Sequence, residues 1–467
     1  MRREWPWMVV LLVVVALPHL SVLVGRREYT HSDIGQAHLP MRVFAAAELA
    51  RGNLTPWCWL VGCGYPFWAS GENGTFYLPN LAFLGNLPVG LVVGWLLWGH
   101  YALSALGMYL LARGLGALPL GATVAAAVFN LGGFMIAHLL HFPMLCAAAW
   151  LPWLWYGVLW WQQRSAPLAL VVIALASCAQ LLAGVPQVWV MTVLAALVFA
   201  GVLAAPGGLR RTATALGGPL LAVLLGAGLA GVQVLPMSVL VGQSVRATPS
   251  YKFVIEFSLN RRSLLSFVDP SAGYALGWEY CAFLGAGALA LAVIGAVRRG
   301  WSPADRALWA VLIVALAMGF SARNPIYHVL WRLPLVGGIR CWCRWLLPCC
   351  GALALLAGLG LTHLQRGFPG AGLGRVRLGL ALVGLVFYAQ WHLFAIPGII
   401  VVNWEWLAER LPAPLTEYLI HNAFLGMGIV WQLQTLLPIM GLALIVIALE
   451  RGARVGRWLV PALAVVV

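Results

Sequence analysis

Charge is scarce in this chain. Only 9% of its residues are Asp, Glu, Lys or Arg, while 62% are hydrophobic. Soluble chains carry about 25% charged and about 45–50% apolar residues. A soluble globular domain is therefore excluded, because its polar surface would not cover so much apolar volume. Acids are scarcer than bases, 13 against 28, for a formal net charge of +15. Such an excess suits nucleic acid only when the bases cluster on a polar domain. Here they sit in short gaps between apolar runs, so nucleic acid is excluded as a partner. The nine cysteines show no metal-ligand spacing, which argues against a cysteine zinc site. Most of them read as small apolar residues. Cys58 and Cys63 share one polar loop, where a disulfide would need an oxidising exterior. No fixed-period repeat or low-complexity segment is present, which excludes a solenoid.

What the chain has in abundance is long apolar runs. A spanning helix needs about 20 such residues. That rule places thirteen spans, at 5–24, 87–113, 118–137, 144–162, 167–183, 187–205, 213–240, 280–297, 306–320, 344–364, 378–396, 431–449 and 458–467. The expected fold class is an all-α polytopic membrane protein, one transmembrane domain over 1–467 with about 12–13 transmembrane helices. The basic, apolar N-terminus is like a signal peptide but lacks a small-x-small cleavage site, so it reads as a retained first helix. The last run is cut short at "PALAVVV", which leaves open whether the chain continues past 467.

Alternating the sides separates the charges. One set of gaps holds fifteen arginines, from Arg2 and Arg3 through Arg113, Arg164 and Arg366 to Arg457, against only Glu4, Asp305 and Glu450. Short, strongly basic gaps lie on the cytoplasmic side. The N-terminus is then cytoplasmic. The long polar loops, 25–86, 241–279, 321–343 and 397–430, are exoplasmic, and any chemistry is expected there.

The first loop is the most informative. Asp33 follows the first span closely. "Pro40-MRVFAAAELAR-Gly52" predicts a short interfacial helix, with Pro near its start and Gly past its end, and with Phe44 and Leu49 lying in the interface. Trp57, Trp59, Tyr65, Trp68 and Tyr77 are headgroup-layer residues. "Asp33-Ile-Gly-Gln36" matches a capping box, and composition alone favours the cap for Asp33.

Several stretches together resemble a known family. An Asp soon after the first membrane helix, then "PMR", "ARG", "PW", "GYP" and "YLPN", is similar to the first exoplasmic loop of YfhO-like bacterial membrane proteins of the GT-C (C-type) glycosyltransferase superfamily. "GGFMIAHLLHFPMLCAAAWLPWLW", "AQLLAGVPQVW", "LLSFVDPSAGY", "EYCAFLGAGALALA" and "LWRLPLVGGIRCWCRWLLPCC" resemble later family segments. The likeness runs over roughly residues 1–365, and 397–430 matches nothing in it. It implies a GT-C-like bundle in the cell inner (plasma) membrane. It also implies a reaction: a sugar passes from a polyprenyl-phosphate-linked donor in the outer leaflet to a cell-envelope acceptor, a polymer, glycolipid or protein. A first-loop Asp is the family's general base, here Asp33, and loop Arg or His residues hold the lipid phosphate. Many relatives carry a second, adjacent acid that binds a divalent metal. Ser32 and Ile34 stand there instead, so the resemblance implies no metal ligand at that place.

The chemistry fits those residue types. A carboxylate that takes the acceptor hydroxyl's proton contributes about 10²–10⁴-fold. The leaving phosphate needs cations, and an Arg fork matches its geometry. Arg340 and Arg344, in "GGIRCWCRW", are the first choice for that clamp. A spacing of four sets them on one face if the helix already includes Arg340, although an Arg at a helix end also snorkels to headgroups. Arg261 and Arg262 are the second choice. His138 and His141 share a helical face, but two ligands are too few for a metal site. Arg42 and Glu48 are equally site residues or an exposed helix face. Glu279 is either a functional intramembrane acid or an interfacial anchor. Glu72 and the Pro and Gly of 184–186 read as turns. Two other functions compete: a transporter or flippase of lipid-linked saccharides, which would place polar groups near the midplane, and a non-catalytic scaffold of the same fold.

Overall fold

The computed structural model describes residues 4–30, 32–268, 277–297, 301–325, 327–332 and 338–366. Within them the protein is helical apart from short turns and one antiparallel pair, Trp57–Cys58 with Tyr65–Pro66. In chain order the helices are α1 (Trp5–Leu23), α2 (Leu39–Ala50), α3 (Val89–Gly114), α4 (Pro119–Leu140), α5 (Phe142–Arg164) and α6 (Pro167–Leu182). There follow α7 (Pro186–Ala204), α8 (Gly208–Leu229), α9 (Gly231–Gly242), α10 (Ala286–Val297), α11 (Pro303–Gly319) and α12 (Leu346–Gln365).

Among the described residues, six stretches are long and apolar enough to cross a membrane: α1, α3, α4, α5, the run Pro186–Leu229, and Trp342–Gln365. This is an all-α membrane protein. The other expected spans in this part of the chain form shorter helices. The run expected at 213–240 divides at Ala230, between α8 and α9, in a glycine-rich stretch where backbone entropy disfavours helix, and Pro236 interrupts α9 further. The spans expected at 378–396, 431–449 and 458–467, and the loop 397–430, lie outside the described residues.

The core forms around α12, which packs against α4, α10 and α11. It is buried on nearly all sides, as a helix apolar all round must be. Small residues bring the backbones close. A side chain on Gly121 would strike the Gly358 carbonyl, and one on Gly360 would strike that of Leu291. Leu118 N–H donates to Thr362 Oγ1 (2.9 Å), closing the end of the same contact. Leucines of α8, among them Leu221, Leu224 and Leu225, face outward, as lipid-facing residues would.

Described members of the basic set gather at one end of this bundle. Glu4, before α1, receives Arg113 at the end of α3 in a forked pair of 2.6 and 2.9 Å. Arg366, after α12, donates to the Gly116 carbonyl (3.1 Å). The first loop meets the other end, where α7 and α12 begin and α4 finishes.

That loop is a packed cap. Glu48 of α2 is buried and gathers Thr55 (3.0 Å), Arg51 (2.7 Å) and Asn53 (3.4 Å). Phe44 stacks edge-on against Trp59 and Phe67, so it packs the loop's own core, where the sequence pattern had placed it in the interface. Tyr77 reaches into the bundle to His100 (2.7 Å) and accepts from Trp150 (2.9 Å). Gly184 has φ +100, and its Cα lies so close to Gly71 that any side chain would overlap the Gly71 backbone. The turn before α7 is thus also the seat of the loop. Cys58 and Cys63 both carry free thiols, the first buried and the second exposed.

Candidate functional site

Asp33 opens a five-residue π-turn, Ile34–His38, that runs into α2. The expected capping box is absent: the Asp33 side chain caps no backbone N–H. A π-turn winds its amides out of reach of the box geometry, and such turns recur at functional sites. The carboxylate turns to His141, with Oδ2 3.6 Å from Nε2, and 47% of the Asp33 side chain remains exposed. Its other oxygen, Oδ1, accepts a long hydrogen bond from the Ser32 hydroxyl (3.4 Å), and the rest of the carboxylate stays accessible.

Behind it lies a chain of polar groups. His141 follows the 3₁₀ turn that ends α4, and its ring centroid is 5.3 Å from that of His138. His138 is buried, stacks on Phe134 and donates Nδ1–H to the Phe134 carbonyl (2.8 Å). Its Nε2 faces Glu279 Oε2 at 3.4 Å. Glu279 in turn takes a fork from Arg344: Nε to Oε2 at 3.0 Å and Nη2 to Oε1 at 2.6 Å. The remaining Arg344 nitrogen, Nη1, donates to Gln187 Oε1 (3.1 Å), and the Gln187 amide donates to the carbonyls of Cys341 (2.9 Å) and Arg340. Five segments distant in sequence converge here: the first loop, the end of α4, the start of α7, the turn before α10 and the start of α12.

The electrostatics follow from that arrangement. Burial pulls Glu279 upward, but the hydrogen bonds from His138 and Arg344 more than reverse it and hold its carboxyl well below the usual range. It is therefore a buried anion. Burial, reinforced by the neighbouring His138, pushes His141 down to about 4, so at neutral pH it is an uncharged ring beside Asp33.

Each arginine has a distinct environment. Arg344 belongs to the 3₁₀ turn Trp342–Trp345, while Arg340 precedes Cys341, whose φ is +59. The helix does not include Arg340, so the four-residue spacing sets no common face. Arg340 pairs with Glu256 (2.7 Å), both partly exposed, and lies over the rings of Phe253 and Phe257. Arg42 is buried, which rules out the exposed-face reading. It donates to the carbonyls of His38 (2.9 Å) and Glu72 (3.2 Å) and lies over Phe142, 4.5 Å from its centroid. Burial lowers its pKa to about 10, which leaves it charged at neutral pH. Glu72 itself lies in the 3₁₀ turn Gly71–Asn73, as a turn residue should. Arg261 and Arg262 are exposed at the start of a separate 3₁₀ turn and join none of these groups.

Sequence reasoning did not place Glu279, Gln187 and Glu256 in the site. The signal for Glu279 was its isolation, one acid at the head of an apolar run. Gln187 gave no chemical signal, since a glutamine after "GVP" reads as the start of a helix. Compared with known proteins, the chain matches no family model and no curated protein.

Proposed function

We propose that the chain is a YfhO-like integral membrane glycosyltransferase of the GT-C type, set in the inner membrane with its N-terminus cytoplasmic. It takes a sugar from a polyprenyl-phosphate-linked donor and passes it to a cell-envelope acceptor on the exoplasmic side. The observation that carries this reading is Asp33. It stands on the first loop, leaves the nearby amides uncapped, and presents a half-exposed carboxylate at the end of the bundle where the polar groups gather. A carboxylate kept for capping would be used up by the backbone. This one is available to a hydroxyl.

In the proposed reaction the acceptor oxygen bonds to the anomeric carbon while that carbon's bond to the phosphate oxygen breaks. The electron pair leaves with the lipid phosphate, and the hydroxyl proton passes to Asp33. His141 packs behind the Asp33 carboxylate, 3.6 Å away, and limits its swing. The arginines divide the remaining work. Arg344, forked to a buried Glu279, stays where it is and positions that carboxylate. Arg340 is the phosphate ligand, because its pair with Glu256 is partly exposed and such pairs contribute only about 0–1 kcal/mol. A lipid phosphate, a better match for the guanidinium fork, displaces Glu256. The membrane lipids supply the donor laterally, which suits a site at the end of the helices.

Among the described residues, the ionisable groups around Asp33 gather at one end of the bundle, which weighs against a transporter. The test is sugar transfer by purified protein in lipid nanodiscs from a radiolabelled polyprenyl-phosphate sugar, with Asp33→Asn alongside. Transfer that Asp33→Asn abolishes supports the enzyme. Donor binding without transfer by the wild type would favour a non-catalytic scaffold.

A further inference from the structure

His138, His141 and Glu279 each offer one ligand atom, and these atoms all lie within 4.8 Å of one another. We propose that they bind one divalent transition-metal ion of the zinc type, at the end of α4 beneath Asp33. Two histidines and a glutamate are a common zinc set, with a fourth position left for water or substrate. Imidazole nitrogen also selects such ions over magnesium and calcium.

The surroundings of the three ligands point the same way. Metal-binding histidines commonly have the other ring nitrogen held by a carbonyl or carboxylate, and ligating carboxylates are themselves hydrogen-bonded. His138 and Glu279 meet these conditions, and His141 Nε2 approaches its carboxylate at 3.6 Å. His138 donates Nδ1–H to the Phe134 carbonyl, which in the neutral ring leaves Nε2 as an acceptor. That nitrogen faces Glu279 Oε2 at 3.4 Å, so a ring proton joins the two in the free protein and the ion, replacing that proton, joins them in the bound one. His141 turns Nε2 to Asp33, while its Nδ1 is buried with no partner. Buried polar atoms are rarely left so, and Nδ1 is the nitrogen this arrangement leaves for the ion. Arg344 grips both oxygens of Glu279 and fixes the carboxylate. Its positive charge opposes the ion, and Asp33 and Glu279 together offset it. The ion sits among buried side chains while Asp33 stays open to the outside.

The inference does not depend on the proposed transfer reaction, since binding is read without turnover. Tag-free protein in detergent is stripped with a chelator and titrated with Zn²⁺ by calorimetry, and bound metal is counted by mass spectrometry. The expected result is one zinc per chain. His138→Ala and His141→Gln should each weaken binding by more than tenfold, and Asp33→Asn, which holds a ligand from behind, by about tenfold. His328→Ala, on the separate turn Tyr327–Leu330, should bind like the wild type. Zn²⁺ should raise the melting temperature of the wild type and of His328→Ala but not of His138→Ala. Co²⁺ soaked into the stripped wild type should give the intense visible bands of a four-coordinate site, which the ligand variants lose. A stripped wild type that takes up no zinc, or equal affinity across the wild type, His138→Ala and His141→Gln, would overturn the proposal.

Discussion

Removing one charge from the Glu279–Arg344 pair should unsettle the whole exoplasmic end of the bundle. Only 17% of the Arg344 side chain and 8% of the Glu279 side chain are exposed. Breaking a buried pair from one side costs about 3–5 kcal/mol, because it strands the partner's charge. In Glu279→Gln the amide still accepts one guanidinium bond, but its NH₂ meets a second donor, so Arg344 keeps an uncompensated charge. A fall in melting temperature of roughly 5 °C or more is expected in detergent. Arg344→Met should fall similarly. The double variant should fall by less than the sum of the two, since neither charge is then stranded. pH adds an independent check. The Glu279 pKa is lower in the folded protein than its ordinary value of 4.5. Its contribution to stability is therefore fully present above that ordinary value and is lost as pH falls through the depressed folded value. The gap between wild type and Glu279→Gln should be constant at neutral pH and narrow only in strong acid. If Glu279→Gln melts with the wild type, or the two single effects simply add, the pair contributes nothing as a pair and the argument fails.

Other expectations are as direct. Gly184→Ala faces both a left-handed φ and an overlap with Gly71; the strain alone is worth about 1–2 kcal/mol, and limited proteolysis should find the first loop loosened. Tyr77→Phe leaves His100 Nε2 and Trp150 Nε1 without their partner and should lower stability by about 1–3 kcal/mol in thermal melts. Arg340→Ala should weaken polyprenyl-phosphate binding about tenfold, with Arg340→Lys recovering only part and the exposed Arg164→Ala unchanged. Cys63 is exposed and free, so an impermeant maleimide should label it on intact cells. A cysteine introduced at Ser165 in a Cys63→Ser background should stay unlabelled, and the reverse pattern would invert the topology.

The parts of the fold legible in the sequence were those set by local rules. Apolar run length found the helices, and proline and glycine punctuation found α2 within two residues of its ends. Arginine spacing put Glu4 and Arg113 on one side, and the two meet at one end of the bundle. What remained hidden depended on distant partners. A glutamate at 279 declares itself an anchor or a buried anion only when Arg344, 65 residues later, closes on it. The same holds for the histidines: their spacing put them together, but the third group beside them comes from the turn before α10. Composition alone favours a cap at Asp33 because the motif assumes α-helical amides, whereas the local backbone is a π-turn and the side chain caps nothing. Arg42 and Glu48 stay open between site and exposed face in the sequence, because the loop that covers them has to fold back over α2 before they are enclosed.

The account rests most heavily on Asp33 as the base, and the most direct test is the transfer rate of Asp33→Asn measured beside the wild type. Asparagine keeps the side chain's shape and, with no amide capped by Asp33, should leave the melting temperature within about 0.5 kcal/mol of the wild type in equivalent stability. It cannot accept the acceptor's proton. The predicted result is wild-type transfer from a polyprenyl-phosphate sugar with the variant slower by about 10²–10⁴-fold. Transfer by folded Asp33→Asn at the wild-type rate would contradict the account.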